Sequence, residues 1–154
     1  MSRKLIGLLA IIIGFTNVSA ISPTSAAAKT YTLSFVVASM DWTSLADNEA
    51  AARKTSKCYP GKYSKLNSGA ILKITNQNGK LLAIGKTVWK VIEVTDQGED
   101  YGSVRYEGLC ALVTTVKKLP KADIYQLMLG TVDAGAYTFQ ELVADKWKVS
   151  LSYG

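Results

Sequence analysis

The sequence contains no histidine, and this absence excludes a large part of enzyme chemistry. Without it, the 154-residue chain can form neither a Ser-His-Asp nor a Cys-His catalytic arrangement, and it has no imidazole ligand for zinc or haem. The two cysteines are too few for an all-cysteine zinc site or a conventional iron–sulfur cluster. We therefore expect no cofactor.

Charged residues are scarce and are spread along the chain. They make up 19% of the residues, with 18 Lys+Arg against 12 Asp+Glu, whereas 48% of the residues are apolar. This composition is typical of a folded domain. The lysines form no basic run, so we expect no nucleic-acid partner. The net charge of +6 favours weak attraction to anionic surfaces such as phosphate-rich wall polymers, or serves solubility alone.

The first 20 residues have the pattern of a cleaved signal peptide. A basic start precedes an apolar run at 5–15, and Ala20 supplies the small residue that signal peptidase prefers. Since about 20 apolar residues are needed to span a bilayer, we expect export without a stable membrane anchor. Cleavage after Ala27 or Ala28 is the alternative. The prediction is thus a signal peptide at 1–20, a short linker at 21–29 and one secreted, extracellular domain at 30–154, monomeric by default.

Export also bears on the two cysteines. In an oxidising compartment an even pair is normally a disulfide, which predicts a bridge between Cys58 and Cys110. Lys57 could lower the pKa of a neighbouring thiol, but no His is present to act as its base. Closing so long a loop would stabilise the fold by about 4 kcal/mol in the chain-entropy model.

The rest of the chain alternates apolar and polar residues with period two, which is typical of half-buried strands. We predict strands at 31–37, 70–75, 81–86, 88–94, 104–118, 124–130 and 147–153. The pattern at 81–86 places Leu82 and Ile84 on one face, and the long segment is expected to bend near Gly108. Short turns between so many strands favour an antiparallel sandwich over alternating strand and helix units.

Four segments carry turn or helix signals. Asn78-Gly79 is typical of a tight hairpin turn, and 95–100 is rich in turn residues. Thr138 and Glu141 have the spacing of a capping box, which predicts one helical turn through Val143 or Ala144. The segment 44–54 has acids early and bases late, so it forms either a short helix or a solvated loop with helical turns.

Two blocks of the sequence carry a resemblance to known proteins. They are Gly61-Lys62-Tyr63 with 69–74, 78–80 and 83–85, and Cys110 with 119–125, 137–142 and 147–154. Their order resembles a group of small secreted actinobacterial proteins. The shared motifs are a hairpin, half of a disulfide and a strand ended by proline, so the resemblance implies a fold and no catalytic residue.

A second resemblance concerns the corner after Leu119-Pro120. A strand ended in this way and followed by Asp123-Ile124-Tyr125 resembles the entry to immunoglobulin-like or prealbumin-like sandwiches. In the former, a tyrosine near a strand start hydrogen-bonds back to the preceding corner, and Tyr125 is the candidate; a plain core aromatic is the equal alternative. The predicted fold is thus an all-β antiparallel sandwich of about seven strands with one disulfide and one or two short helical turns.

Four aromatic residues fall between the predicted strands. They are Trp42, Tyr59, Tyr63 and Tyr101. Exposed rings in loops often stack on sugars or anchor partners. The alternative is that these rings cover the ends of the sandwich as part of its core. If they are exposed, they are the candidate binding residues of the chain.

An acidic loop offers the remaining chemistry. Asp96, Glu99 and Asp100 could present oxygens to calcium, but their spacing lacks the alternating ligands of a known calcium loop. The same carboxylates could serve a small hydrolase, or merely form a soluble turn. We therefore expect a non-enzymatic extracellular module that binds a cell-wall polymer, glycan or protein, with a small secreted hydrolase or a secreted inhibitor as alternatives.

Overall fold

The computed structural model describes residues 28–60, 65–98 and 105–153, which form two packed four-stranded sheets. Sheet A has the order β4-β5-β1-β8, with β4 at Val88–Asp96, β5 at Tyr106–Pro120, β1 at Thr30–Ala46 and β8 at Lys148–Ser152. Sheet B has the order β3-β2-β6-β7, with β3 at Leu81–Lys86, β2 at Ile71–Asn76, β6 at Ile124–Leu129 and β7 at Val132–Thr138. The predicted all-β sandwich is confirmed, with eight strands in the described ranges instead of seven.

The core lies between the sheets, where the period-two pattern predicted it. Val37 of β1 pairs with Leu112 of β5, and both side chains are buried. Tyr125, Leu127 and Leu129 of β6 are buried from the opposite sheet. Alternate residues of each strand face this layer because successive side chains of a strand point to opposite faces.

One strand departs from the antiparallel prediction. β8 pairs with β1 in parallel, with Ser34 opposite Lys148 and Ala38 opposite Ser152. The chain returns along β7 to the end of the sandwich where β1 begins, and a short helix there, α2 (Phe139–Ala144), carries it across to sheet A. Since β8 then starts at the same end as β1, it can only run in the same direction.

The helix α2 begins as the sequence predicted. The Thr138 hydroxyl accepts from the Glu141 N–H at 3.2 Å, and the Glu141 carboxylate accepts from the Thr138 N–H at 2.6 Å, which completes a capping box. The hydrogen bond from the Thr138 N–H, and a second one of 2.9 Å from the Thr138 hydroxyl to the same carboxylate, lower the pKa of Glu141. β7, which leads into the helix, was not predicted because Asp133 and Gly135 interrupt its apolar pattern.

Sheet B contains the predicted hairpin, but the turn and the pairing of its second strand differ from the prediction. β2 and β3 are joined around Asn78-Gly79, where only Gly79 has positive φ, at 74°. The strands shift register between Ala83 and Leu81, so β3 has an extra residue there. Such a bulge re-aims side chains, and Ile84, predicted to share a face with Leu82, is 60% exposed.

The far half of sheet A extends beyond the sandwich. Both neighbours of β5 shift register beside Leu109, close to the bend predicted at Gly108. Only one short helix, α1 (Glu49–Ala52), forms in the segment predicted as helix or loop, and Asn48 caps it. Ala52 of that helix approaches Gly108 on the inner face of this extension, so among the described residues the outer face is the open one there.

Tyr125 forms the predicted corner. Its phenolic oxygen accepts from the Ala122 N–H at 2.8 Å, and its O–H donates to the Pro120 carbonyl at 3.1 Å. Burial raises the pKa of this phenol. The residue is therefore both a core aromatic and a clamp on the turn between β5 and β6.

Candidate functional site

Trp42 is buried, so the interpretation as an exposed loop aromatic was wrong and the alternative, a ring that belongs to the core, is confirmed. The side chain is 0% exposed and lies inside the extended β1. Its ring centroid is 5.4 Å from that of Trp89 and 5.6 Å from that of Tyr153. The irregularity between Ala38 and Thr43 interrupts the alternation of β1 and turns the ring inward.

Tyr59, in contrast, is 47% exposed and firmly placed. The preceding residue, Cys58, forms the predicted disulfide with Cys110 of β5. The Tyr59 N–H donates to the Thr43 carbonyl at 3.3 Å, and the Thr43 hydroxyl donates to the Tyr59 phenolic oxygen at 3.4 Å. A covalent bond and a backbone hydrogen bond thus position an open ring beside β1.

The predicted acidic site receives no support at Asp96. The Gly98 N–H donates to its carboxylate at 2.9 Å, and Arg105 lies 3.5 Å away. These contacts, the Gly98 hydrogen bond first, lower the pKa of Asp96. Its oxygens thus already stabilise the turn. The other calcium candidates, Glu99 and Asp100, and the other candidate aromatics, Tyr63 and Tyr101, lie outside the described residues.

A shallow hollow occupies the outer face of the sheet A extension, next to Tyr59. Its volume is about 310 Å³, and it is lined by Met40, Thr43, Glu93, Thr95, Gln97, Glu107 and Leu109. Leu109 pairs with both Thr43 and Glu93 across the sheet. The ring of Tyr59, the hydroxyl of Thr43 and the carboxylate of Glu93 thus share one cross-strand row, and we call the hollow together with Tyr59 the Tyr59 face.

The polar groups of the Tyr59 face differ in whether they already have hydrogen-bond partners within the described residues. Gln97 is fixed, because its N–H donates to the Arg105 carbonyl at 2.7 Å and its side chain donates to Glu107 at 2.9 Å. Glu93 has no hydrogen-bond partner among the described residues and is exposed. The face thus offers one free carboxylate, one positioned amide–carboxylate pair and one aromatic ring.

The sequence held a signal for these residues. Glu93, Thr95 and Gln97 alternate with period two, from the end of the strand predicted at 88–94 into the turn residues that follow it. Ending that strand at its turn residues hid the fact that the three side chains share a face. Glu107 and Thr43 could not be assigned to it without the pairing of β5 with β1 and β4.

A second concavity is apolar. It opens between the edge strands β7 and β8, has a volume of about 320 Å³ and has a floor that includes Phe35 and Leu129. Two of the polar groups at its rim already have partners, since Asp133 accepts from the Gly135 N–H and the Tyr137 O–H donates to the Ala134 carbonyl. It therefore offers less for specific recognition than the Tyr59 face.

Comparison with protein-family models, curated proteins and solved structures found no match to this chain. Within 28–60, 65–98 and 105–153, no helix has the length and apolarity to cross a membrane. The same ranges contain no group of three or more Cys, Asp or Glu side chains placed to hold a metal ion. The Tyr59 face is therefore the part of the described structure from which a function can be inferred.

Proposed function

We propose that the protein is a secreted, non-enzymatic module that binds a glycan through the Tyr59 face. The observation that carries this proposal is the cross-strand row in which the exposed, disulfide-anchored Tyr59 ring lies next to the Thr43 hydroxyl. Across Leu109 in the same row lies the Glu93 carboxylate, which has no partner among the described residues. A sugar ring has apolar C–H faces that pack on an aromatic ring and a rim of hydroxyls that hydrogen-bond to carboxylates and amides. Tyr59 supplies the first kind of contact, and Glu93 and Gln97 supply the second.

The charge of the hollow narrows the ligand class. Among the described residues, its lining includes Glu93 and Glu107 and no lysine or arginine. Burying an anionic group against these carboxylates would cost free energy. Neutral glycans and glycans with amino groups are therefore the preferred ligands of the Tyr59 face. Export is supported by the signal-peptide pattern of the first 20 residues and is compatible with the Cys58–Cys110 disulfide.

The test is co-sedimentation of the purified protein with neutral polysaccharides and with cell-wall material, at low and high salt. Binding should survive high salt, because stacking and short hydrogen bonds are screened much less than charge attraction between exposed groups. Tyr59→Ala should weaken binding about tenfold, and Tyr59→Phe should retain most of it. Ile84→Ala, on the outer face of sheet B, is the matched control because it removes a similarly exposed apolar group elsewhere.

Two outcomes would reject the proposal. If Tyr59→Ala and Glu93→Gln bind as tightly as the parent protein, the Tyr59 face is not the site. If the protein releases new reducing ends from a glycan and Glu99→Gln abolishes this activity, the protein is the hydrolase of the alternative prediction. Binding to a protein partner through other residues would favour the inhibitor instead.

A further inference from the structure

Lysines that are dispersed in the sequence gather at one end of the sandwich. This lysine end consists of Lys29, Lys80, Lys117, Lys118, Lys121, Lys146 and Lys148, all exposed. The pairing explains the gathering, since Thr30 at the start of β1 lies opposite Pro120 at the end of β5, and Lys148 of β8 lies opposite Ser34. We propose that the lysine end binds a linear polyanion, a chain of phosphate groups, independently of the Tyr59 face.

Aromatic rings hold part of this charge in place. The Lys29 ammonium lies 5.6 Å from the Tyr31 ring, and the Lys121 ammonium lies 4.9 Å from the Phe139 ring. Tyr31 itself contacts Phe139 at 5.3 Å and stacks on Trp147 at 4.4 Å. Two cations from distant parts of the chain are thus fixed over one aromatic cluster.

The charge of this end is not taken up by ion pairs within the described part of the chain. The ion pairs among the described residues are Arg53–Glu49 and Arg105–Asp96, and both lie at the opposite end of sheet A. The acids at the lysine end are Asp123, Glu141 and Asp145, and Glu141 already accepts from Thr138. No lysine of this end has a carboxylate oxygen within 4.0 Å in the described part of the chain. The lysines therefore remain available to an external anion.

The shape of the surface at the lysine end suits a linear polymer. Two hollows of about 420 and 330 Å³ flank Lys121. Asn76, Gln77 and Lys80 line the first hollow, Thr138 and Gln140 line the second, and the Asp123 carboxylate lines both, beside Lys121. A flexible polymer could follow both hollows past Lys121 and meet side-chain amide donors as well as ammonium groups.

The backbone conformation of Lys118 makes it possible to test a binding role separately from a structural role. Its φ is 59°, a conformation that glycine adopts at much lower cost than lysine. If position 118 served stability alone, glycine would be more stable there than lysine. Lys118→Gly is therefore expected to leave the melting temperature unchanged or raised while it weakens polyanion binding.

The aromatic rings favour a polymer without bases. Single-stranded nucleic acid is bound by stacking of bases on exposed rings. Tyr31, Phe139 and Trp147 are only partly exposed and already pack on one another. Their faces and edges are engaged with one another and with lysines, so phosphate charge and spacing are what this end recognises.

The experiment measures the affinity of the full mature chain for long-chain polyphosphate over a series of salt concentrations. The double variant Lys118→Gly/Lys121→Gln should lose at least about tenfold in affinity. The slope of log affinity against log salt should also become shallower by just under one for each phosphate contact removed. Lys54→Gln/Lys57→Gln, at the opposite end, has the same change in net charge and should lose much less.

Three results would overturn the inference. Equal losses in the two double variants would mean that net charge alone acts. Tighter binding of single-stranded DNA than of polyphosphate, at equal phosphate concentration, would mean that bases are recognised. Absence of binding at low salt would remove the site. Tyr59→Ala should leave polyphosphate binding unchanged, so failure of the glycan proposal and failure of this one can be told apart.

Discussion

Cys58 and Cys110 form a disulfide with a sequence separation of 52 residues, and it joins the segment that carries Tyr59 to the central strand β5. The bridge reduces the conformational freedom of the unfolded chain, and in the folded protein it holds Tyr59 next to Thr43. Stability and the geometry of the Tyr59 face thus depend on the same covalent bond.

Replacing both cysteines by serine should lower the free energy of unfolding by about 4 kcal/mol, since the unfolded chain regains the freedom of a long loop. Denaturant unfolding followed by tryptophan fluorescence measures this change. The parent protein under reducing conditions is the control and should show a similar loss. An unchanged midpoint in both would mean that the loop is already restricted in the unfolded state.

Tyr125→Phe should destabilise the protein by about 1–3 kcal/mol, because the ring remains but the Ala122 N–H and the Pro120 carbonyl both lose their partner. Tyr137→Phe is the matched control, as Tyr137 makes a single hydrogen bond, to the Ala134 carbonyl at 3.2 Å. Thermal unfolding of the two variants gives the comparison. Equal losses would show that the corner at Pro120 gains nothing from its second hydrogen bond.

The close approach of α1 to sheet A gives a further prediction. A Cβ at Gly108 would lie 2.8 Å from the Ala52 carbonyl oxygen and 3.1 Å from Val91 Cγ1. Gly108→Ala should therefore displace α1 and cost about 1–3 kcal/mol. Amide hydrogen exchange in α1 should become faster, and unchanged exchange and stability would contradict the contact.

Ser44, beside the same contact, should respond in the opposite sense. Its side chain is 0% exposed, and its hydroxyl has no hydrogen-bond partner in the described structure. Burying an unpaired hydroxyl costs about 1–3 kcal/mol. Ser44→Ala should therefore keep or raise the melting temperature, whereas a clear fall would mean that the hydroxyl has a partner, such as a bound water.

Local signals in the sequence were sufficient for much of the fold. The alternation at 147–153 identified β8, Asn78-Gly79 marked the hairpin, and Thr138 with Glu141 marked the start of α2. Each of these signals lies within a few neighbouring residues, where backbone preference and side-chain periodicity decide the structure.

Features that depend on long-range pairing could not be predicted in this way. Trp42 appeared to lie in a loop because an irregularity interrupts β1, and only its contacts with Trp89 and Tyr153 place it in the core. Lys148 joins Lys29 at the lysine end because β8 runs parallel to β1, so that both strands begin at the same end of the sandwich. Single-sequence periodicity carries no information about which strands become neighbours.

The capping box of α2 predicts how stability depends on pH. Hydrogen bonds from the Thr138 backbone and side chain lower the pKa of Glu141 below its usual value of 4.5. The folded state thus favours the carboxylate, and this stabilisation is present at neutral pH and is lost as the pH falls below 4.5 and through the folded-state pKa. Glu141→Gln keeps a capping side chain that does not titrate. The melting temperature of the parent protein should exceed that of the variant at neutral pH, and the difference should shrink on acidification. A difference that does not change with pH would show that Glu141 caps the helix without any contribution from its charge.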